Sequence, residues 1–404
     1  MKQKFFLISV VAGILAFTAC EKEATQEVIQ PEEQMVKLTD PASAEIIPGQ
    51  YVVVLNDDAT KFKSASDASY SERVNEVKAF AESMVKTKSS GFEIKNAYAE
   101  AIRGFSVKMS EEDVIHLEKD VRVKYVLPDR LFIRGRGPGG GGGNVDDPVQ
   151  EDQVVPYGIT RVGYGSGVGK VAWIIDTGVD VDHPDLSVDA ARGYDFINGD
   201  AIADDDNGHG THCAGTVAGI DNEIGVVGVA AGATIVPVKV LDRRGSGAYS
   251  VIIAGVDFVA ANANPGDAAN MSLGGGVYQA IDDAVYAASQ NGIFFALAAG
   301  NESDDANNHS PARVNGEYIW TVSAMDENDY FASFSNYGNP PVDYCEPGVY
   351  IYSCAPGGGY ATMSGTSMAA PHMCGILLMT NGNPHTDGYV NGDPDGNPDP
   401  IGHI

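Results

Sequence analysis

The chain has 404 residues, of which 44% are hydrophobic and 20% are charged, and its formal net charge is -29 at pH 7. This composition is typical of globular proteins, and the length is sufficient for two or three domains with sizeable cores. The large negative charge argues against nucleic acids and anionic membrane surfaces as ligands, because both are polyanionic and would repel the chain at long range. We therefore expect an acidic, well-hydrated surface and no nucleic acid partner.

Residues 1–19 have the features of a signal peptide. Lys2 and Lys4 precede the apolar run FFLISVVAGILAF, which is shorter than the roughly 20 apolar residues of a membrane-spanning helix. Cys20 directly follows small residues, as in a bacterial lipoprotein signal, where this cysteine becomes the acylated first residue. We therefore expect export, either with a lipid anchor at Cys20 in a bacterial cell envelope or, if the signal is an ordinary secretory one, as a secreted protein. Residues 20–46 are polar and acidic and are predicted to form a flexible tether.

Residues 47–132 have the pattern of a small α+β domain. The strand YVVVL is followed by an amphipathic helical stretch, the alternating strand FSVKM, a short helix that begins with the capping sequence SEED, and the strand VRVKYV. This order fits a ferredoxin-like unit of the split-βαβ type. The run RGRGPGGGGGNVDDP then has almost no capacity to pack, so residues 133–150 are predicted to be a linker.

Residues 151–404 are predicted to form one α/β domain. Mostly continuous apolar runs, among them VAWII, TIVPVKVL, IFFALAA and IWTVSA, alternate with helical stretches such as AYSVIIAGVDFVAANA. Continuous apolar strands indicate a sheet that is covered on both faces, so we expect a doubly wound, mostly parallel sheet flanked by helices. Such sheets bind ligands beyond the carboxyl ends of their strands.

Three reactive side chains are predicted to lie at this edge of the sheet. Asp176 ends the strand VAWIID, His209 lies among glycines at the start of a helix, and Ser367 begins a helix in GTSMAAPH. Each has an ordinary structural explanation, since Asp176 could cap a turn, His209 could lie at the surface and Ser367 could cap its helix. Together they meet the needs of acyl transfer, in which a nucleophile requires a nearby base and a carboxylate that orients this base. Asn301, after the strand FFALAAG, could donate a hydrogen bond to a developing oxyanion.

Two other classes of function are compatible with parts of this pattern. A metal-dependent hydrolase would use His209 and His212 with the three carboxylates of residues 204–206, but the histidines lack the intervening glutamate of H-E-x-x-H sites. A catalytically silent binding protein would have lost at least one of the four candidate residues, and all four are present. We therefore favour a serine hydrolase.

Four motifs, D-T-G-V-D, H-G-T-H-C-A-G, A-A-G-N and G-T-S-M-A-A-P-H, resemble those of the subtilisin-type serine peptidase family, and their order is also the order of that family. The segments PGQYVVVL, AIRGFSVKMSEEDV and VRVKYVLPD resemble its inhibitor-like propeptide. The resemblance implies that Ser367 is the nucleophile, His209 the general base and later acid, and Asp176 the carboxylate that orients the imidazole. It also implies that Asn301 and the Ser367 backbone amide bind the oxyanion, and that the propeptide is an intramolecular inhibitor removed by a cut near Glu151.

The resemblance implies polypeptide substrates that pair, as extended chains, with a strand in residues 270–276. The side chain before the cut bond would enter a pocket without charged groups, so we expect a broad preference for apolar or aromatic residues there. We expect the enzyme to be a monomer. The residues implied to line the pocket are Ser272, Leu273, Gly274, Ala298, Ala299 and Gly300.

The resemblance further implies a structural, non-catalytic calcium ion. The loop GIDNEIGVVG resembles the calcium loop of the family, and side-chain and carbonyl oxygens are the ligands that this hard cation prefers. The implied ligands are Gln153, Asp185, Ile220, Asn222, Ile224 and Val226.

The cysteines and the C-terminal segment complete the sequence predictions. Four cysteines follow Cys20 and allow three pairings in an oxidising compartment, of which we favour Cys345 with Cys354, whereas Cys213 and Cys374 could be small buried thiols. From the resemblance we expect the helices that usually close the family fold to be missing or replaced by the Gly/Pro/Asp-rich tail that follows the Ser367 helix. Residues 393–399 have the spacing of a calcium loop, but two prolines and the lack of a terminal glutamate favour a solvated tail.

Overall fold

A computed structural model of the chain describes residues 45–56, 68–89, 91–133 and 152–404, which all belong to one compact unit, Asp40–Ile404. The predicted signal peptide, the lipid anchor at Cys20 and nearly all of the predicted tether and linker lie outside the described residues. Within the described ranges, no helix is both long enough and apolar enough to cross a membrane.

The first domain is the α+β unit predicted from the sequence. Its four strands form an antiparallel sheet in the order β4-β1-β3-β2, of which the sequence pattern had not indicated β2. The helix α1 begins at a complete capping box, in which Ser69 and Glu72 bond to each other's backbone amides. The elements are β1 Glu45–Leu55, α1 Tyr70–Lys86, β2 Glu93–Tyr98, β3 Gly104–Lys108, α2 Glu111–Glu118 and β4 Val123–Ile133.

The second domain has five α-helices and seventeen strands in the described range 152–404. The helices are α3 Tyr157–Val162, α4 His209–Ala218, α5 Tyr249–Asn262, α6 Gln279–Ser289 and α7 Thr366–Thr380. The strands are β5 Gly165–Ser166, β6 Val171–Asp176, β7 Ser187–Val188, β8 Tyr194–Asp195, β9 Ala230–Ala231, β10 Thr234–Lys239, β11 Ser246–Ala248, β12 Ala268–Met271, β13 Gly275–Gly276, β14 Phe294–Ala298, β15 His309–Ser310, β16 Ile319–Met325, β17 Val342–Pro347, β18 Ile351–Ala355, β19 Gly359–Met363, β20 His385–Tyr389 and β21 Pro400–His403.

The main sheet confirms the predicted doubly wound architecture. Its strand order is β20-β21-β17-β16-β14-β12-β6-β10-β7, and every pair is parallel except β20 with β21. Both faces are covered: Trp173 and Ile175 of β6 belong to one apolar cluster, and Ala172 and Ile174 belong to another. This arrangement explains the continuous apolar run of β6. The chain proceeds from β6 to β10 on one side and then to β12 on the other, so the carboxyl end of β6 is the topological switch point.

The two domains share a sheet. Strand β4 pairs antiparallel with β11, so that Ile133, Phe132 and Leu131 lie opposite Ser246, Gly247 and Ala248. Apolar residues of the first domain, including Val52 and Tyr98, also belong to the cluster that contains the inward faces of α5 and α6. The first domain is therefore docked on these helices.

The segment predicted to be a solvated tail, residues 393–399, is exposed at 394–398 but buried at Asp399, and the strand β21 follows it. This strand continues the main sheet beside β17, and Ile401 is fully buried against Cys345. The last residue also bonds to the domain, since the Ile404 N–H donates to the carbonyl oxygen of Val162 at 3.1 Å. The apolar residues of β21 are too few to predict a strand from the sequence. In the structure they cover the edge of the sheet that β17 would otherwise expose.

The predicted disulfide between Cys345 and Cys354 is also wrong, because both thiols are free and buried. Cys345 lies with Val390 and Ile401 beneath the C-terminal strand, whereas Cys354 belongs to the larger cluster around α4 and α7. The two cysteines therefore fill separate apolar sites. Cys213 and Cys374 are small buried residues, as the second interpretation of these two cysteines predicted.

Two carboxyl groups are buried next to β21. Asp399 accepts hydrogen bonds from Asn339 Nδ2 at 2.8 Å and from Ser323 Oγ at 2.5 Å, and burial raises its pKa to about 7. Burial also raises the pKa of Glu346, whose Oε1 accepts the Gly402 N–H at 3.0 Å. Both groups are less costly to bury when protonated.

We expect Asp399→Asn to reduce the loss of stability with rising pH. Burial raises the pKa of Asp399 to about 7 in the folded chain, against an ordinary value of 3.8. The contribution of this group to the free energy of unfolding is therefore complete below about pH 4 and is lost as the pH rises toward 7. The measurement is the thermal midpoint of the Ser367→Ala chain from acidic to neutral pH, with and without Asp399→Asn. Asp395→Asn, in the exposed part of the same loop, is the control. An equal decline in all three chains would contradict the expectation.

Candidate active site

The predicted acid and base meet at the end of β6. His209 Nδ1 lies 2.8 and 2.9 Å from the two carboxylate oxygens of Asp176, and Asp176 is fully buried. Asp176 Oδ1 also accepts the Thr177 N–H at 2.7 Å. Because an ionised carboxylate can only accept, Nδ1 carries the imidazole proton and leaves the lone pair of Nε2 available to take another.

His209 is held in place by the first turn of α4. The preceding Gly208 has φ +106°, which a residue with a side chain rarely adopts. Asp205 accepts the N–H groups of Gly208 and Thr211, each at 2.9 Å, and the Thr177 hydroxyl at 2.9 Å. This carboxylate therefore ties the start of α4 to the end of β6, a positioning role that sequence reasoning missed.

The residues of the metal-hydrolase alternative do not converge. His212 Nε2 bonds to the carbonyl oxygens of Ile351 and Ala361 at 3.0 and 3.2 Å, and burial lowers its pKa to about 3. Asp206 pairs with the buried Lys239 at 2.6 Å. His212 and Asp206 therefore have partners of their own in the fold and do not join His209 in the site that this alternative would need.

Ser367 is not the cap of its helix. The N-cap of α7 is Gly365, no side chain caps this helix, and Ser367 lies in its first turn. Its Oγ donates to the carbonyl oxygen of Ser272 at 3.0 Å, and among the described residues no hydrogen bond joins it to His209. Catalytic hydrogen bonds are often long or misaligned before substrate binds, so this geometry is compatible with a nucleophile.

Asn301 is oriented by the same turn. Its Oδ1 accepts the Thr366 N–H at 2.8 Å and the Thr366 hydroxyl at 3.2 Å. With the amide oxygen engaged there, the amide nitrogen remains as a donor beside the N–H of Ser367. Both residues line one cavity, as an oxyanion site requires.

Five of the six predicted pocket residues line that cavity, and Ala299 does not. Ala299 is fully buried, and its carbonyl oxygen accepts Asn336 Nδ2 at 3.0 Å. Three lining residues were missed: Glu302, which places a carboxylate in a pocket predicted to be uncharged, Thr366, and Phe132 of the first domain. Their only sequence signals were the positions of Glu302 next to Asn301 and of Thr366 next to Ser367, and the apolar triplet that precedes the linker. The lining residues are Phe132, Ser272, Leu273, Gly274, Ala298, Gly300, Asn301, Glu302, Thr366 and Ser367.

The predicted calcium ligands also meet, although not all through oxygen. Gln153 Nε2 lies 2.8 Å from the Ile220 carbonyl oxygen and 3.5 Å from both Asn222 Oδ1 and the Ile224 carbonyl oxygen. Asn222 Nδ2 donates to Asp185 Oδ1 at 2.9 Å. The exception is the last ligand, because the Val226 N–H donates to Asp185 Oδ2 at 2.8 Å.

Comparisons with known proteins agree with this architecture. Residues 167–388 match the subtilase family, and residues 50–132 match the peptidase inhibitor I9 family. A crystal structure of a cold adapted subtilisin-like serine proteinase is similar at 43% sequence identity with a TM-score of 0.51, covering 57% of this chain and 85% of that chain. The chain belongs to the subtilase family of serine peptidases and carries an I9-type propeptide.

Individual relatives cover different shares of the chain. The extracellular serine proteinase of Thermus sp. (strain Rt41A) is 35% identical over 375 residues, which cover 91% of this chain and 87% of that protein. Subtilisin-like protease 7 of Arthroderma gypseum is 38% identical over 354 residues, 83% of this chain and 82% of that protein. Alkaline serine exoprotease A of Vibrio alginolyticus is 40% identical over 302 residues, 71% of this chain, and the chain spans only about half of that protein, 53%.

Proposed function

We propose that the chain is an exported serine endopeptidase that cuts peptide bonds through an acyl-enzyme intermediate formed on Ser367. The observation that carries the proposal is the buried Asp176–His209 pair at the switch point of the sheet, with Ser367 and Asn301 on one cavity. Export is supported by the signal-like sequence and by the name of the Thermus relative, which describes that protein as extracellular. The lipid anchor at Cys20 remains a prediction.

The proposed mechanism assigns one task to each group. His209 Nε2 takes the proton of Ser367 Oγ as the hydroxyl attacks the peptide carbonyl carbon, and Asp176 stabilises the resulting imidazolium. Asn301 Nδ2 and the Ser367 N–H donate to the oxyanion. His209 then protonates the leaving amine, and water attacks the acyl-enzyme in the second half of the reaction with His209 again as base.

Substrate would bind as an additional strand, as β4 does in the uncut chain. Phe132 of β4 is nearly fully buried and lines the same cavity as Ser367, so the propeptide occupies the position of an extended substrate. The walls formed by Leu273, Gly274 and Ala298 support the expected broad preference for apolar or aromatic side chains before the cut bond.

The propeptide is proposed to act as both inhibitor and folding aid. The buried Asp257 of α5 accepts the N–H groups of Ala99, Glu100 and Ala101 at 2.7 to 2.9 Å and the Tyr70 hydroxyl at 3.0 Å. In the opposite direction, Asp129 of the propeptide accepts the Ser250 N–H in the first turn of α5 at 3.1 Å. Helix α5 has no side-chain cap of its own at Ala248, so Asp129 satisfies an amide that the helix leaves open.

A structural calcium ion is proposed for the Asp185 loop. The oxygens of Ile220, Asn222 and Ile224 already converge on the Gln153 side chain, and the oxygen and nitrogen of such an amide are assigned only by their hydrogen bonds. Burial raises the pKa of Asp185 because it disfavours the charged carboxylate, and the positive charge of the ion would stabilise that charged form. The Gln153 side chain already reaches this loop in the full-length chain.

We expect Ser367→Ala to abolish self-cleavage of the full chain. His209→Ala should lower the rate of self-cleavage by a similar factor, and the double variant should lower it little further, because the triad acts as a unit. Loss of the triad lowers kcat about 10⁶-fold in subtilisin itself. The measurements are the rate of appearance of two fragments by mass spectrometry and the labelling of Ser367 by a fluorophosphonate. Ser364→Ala is the control for a nearby hydroxyl, and near-additive losses would count against the proposal.

We expect Asp257→Asn to loosen the propeptide. The asparagine NH₂ group would face backbone N–H donors, and breaking such a buried charged contact costs about 2–5 kcal/mol. In the Ser367→Ala background, trypsin should cut residues 45–133 faster in the variant. Asp326→Asn is the control, because Asp326 accepts two N–H groups within its own loop. An unchanged cutting rate would exclude Asp257 as an anchor.

We expect calcium to raise the thermal midpoint of the Ser367→Ala chain relative to a chelator, because the ion binds only the folded state. Asp185→Ala with Asn222→Ala should remove this response. Asp395→Ala should retain it, which separates the Asp185 loop from the Asp-rich tail loop. A response that survives the double substitution would place the ion elsewhere.

A further inference from the structure

The carbonyl oxygen of Ser367 lacks the usual hydrogen bond of a helical residue. In an α-helix this oxygen accepts the N–H of the residue four positions later, which here is Pro371. Proline has no N–H, and its ring also crowds the carbonyl group four residues earlier, which turns that group away from the helix. The proposed nucleophile therefore lies in a turn that its own helix does not fully stabilise.

Two side chains from other elements donate to this carbonyl oxygen instead. Ser272, directly after β12, donates its hydroxyl to the Ser367 oxygen at 2.7 Å. Cys213 of α4 lies 3.5 Å from the same oxygen and is the weaker donor, because its donor is a thiol. Ser272 also contacts Ser367 a second time, since its carbonyl oxygen accepts the Ser367 hydroxyl at 3.0 Å. One residue thus holds both the backbone and the side chain of the proposed nucleophile.

The Ser272 hydroxyl is oriented in turn by Asn270 of β12. Asn270 Nδ2 donates to Ser272 Oγ at 2.9 Å, and both residues are fully buried. Because a hydroxyl has one hydrogen, accepting from Asn270 leaves that hydrogen for the Ser367 carbonyl oxygen. In the described part of the chain, Asn270 Oδ1 has no hydrogen-bond partner, which is costly for a buried amide. The hydrogen bond to Ser272 is therefore what favours asparagine over an apolar side chain of similar size.

We propose that Asn270 and the Ser272 hydroxyl are positioning residues, which replace the helical hydrogen bond lost at Pro371 and thereby fix Ser367 for catalysis. This inference rests on the proposed peptidase function and adds how its nucleophile is held. The hydroxyl of Ser367 attacks the substrate and its N–H binds the oxyanion, so a small rotation of this one residue misplaces both groups. Asn270 is not among the residues that line the cavity, so its effect should fall on the chemical step and not on substrate binding.

The first test measures kcat and KM of the mature enzyme, formed by self-cleavage, on a peptide p-nitroanilide that ends in phenylalanine. We expect Ser272→Ala to lower kcat about tenfold, the effect of one buried hydrogen bond, and to leave KM nearly unchanged. Asn270→Leu should lower kcat by a smaller factor, because the Ser272 hydroxyl would remain but would no longer be oriented.

Ser289→Ala is the matched control for the loss of a buried serine hydroxyl. Ser289 is also fully buried, and its Oγ donates at 2.7 Å to the carbonyl oxygen of Tyr286 in its own helix, α6. Its substitution should leave kcat and KM unchanged.

Pro371→Ala provides the comparison that a structural role of the serine would not satisfy. Alanine returns an N–H to the position that faces the Ser367 carbonyl oxygen, so the Ser272 hydroxyl is no longer needed there. In the Pro371→Ala background, Ser272→Ala should therefore lower kcat by no more than about twofold. A packing defect at Ser272 would instead lower kcat by the same factor with either residue at position 371.

The outcomes separate this inference from the proposed function. An equal loss of kcat in the two backgrounds, or a change in KM without a change in kcat, would overturn the positioning role while the peptidase function stands. If the unmodified enzyme cleaves no peptide and a fluorophosphonate does not label Ser367, both fail. The Ser272→Ala comparison decides the question even if Asn270→Leu does not fold, and its division between kcat and KM decides it if Pro371→Ala does not.

Discussion

A single buried carboxylate organises the centre of this protein. Asp176 ends the strand at which the sheet changes direction, and it is fully buried, so its charge requires donors close by. The Thr177 N–H and His209 Nδ1 supply them, and this need fixes the ring of His209. The start of α4 must approach β6 closely for this contact, and a Cβ atom at Gly210 would lie only 2.0 Å from the carbonyl oxygen of Gly178. The glycine of the H-G-T-H motif, Gly210, is therefore part of the same constraint as the catalytic geometry.

Buried carboxylates that accept backbone N–H groups also hold the two domains together. Asp257 and Asp129 each accept backbone N–H groups of the other domain, in opposite directions across one interface. Such contacts depend on backbone positions rather than on particular side chains of the partner, so they recognise a folded propeptide loop and a folded helix. These contacts are the basis of the proposed role of the propeptide as a folding aid for α5, and the strand pairing of β4 with β11 places Phe132 at the cavity.

The sequence was informative where a pattern has one structural solution. The continuous apolar strands predicted a sheet with two covered faces, and Asp176, His209, Asn301 and Ser367 lie at one edge because parallel strands end there together. It failed where a property depends on a distant partner. Cys345 and Cys354 are near in sequence but face different cores, and the residues of β21 find their place only against β17. Glu302 was missed because its position follows from the fold of the loop after β14, and no residue pattern indicates that its carboxylate faces the pocket.

The short length of β11 limits how the enzyme can pair with other polypeptide chains. Once the propeptide leaves, Ser246–Ala248 becomes an open strand edge beside the cavity, and such edges attract other strands. A run of three residues can hold a short extended peptide but offers too few hydrogen bonds to seed the growth of a sheet between molecules. One edge of the main sheet is the exposed strand β20, which carries Asp387, and a charged side chain on an edge strand disfavours pairing with other chains. In the proposed function, the strand edge that pairs with substrates is therefore too short to favour the association of enzyme molecules with one another.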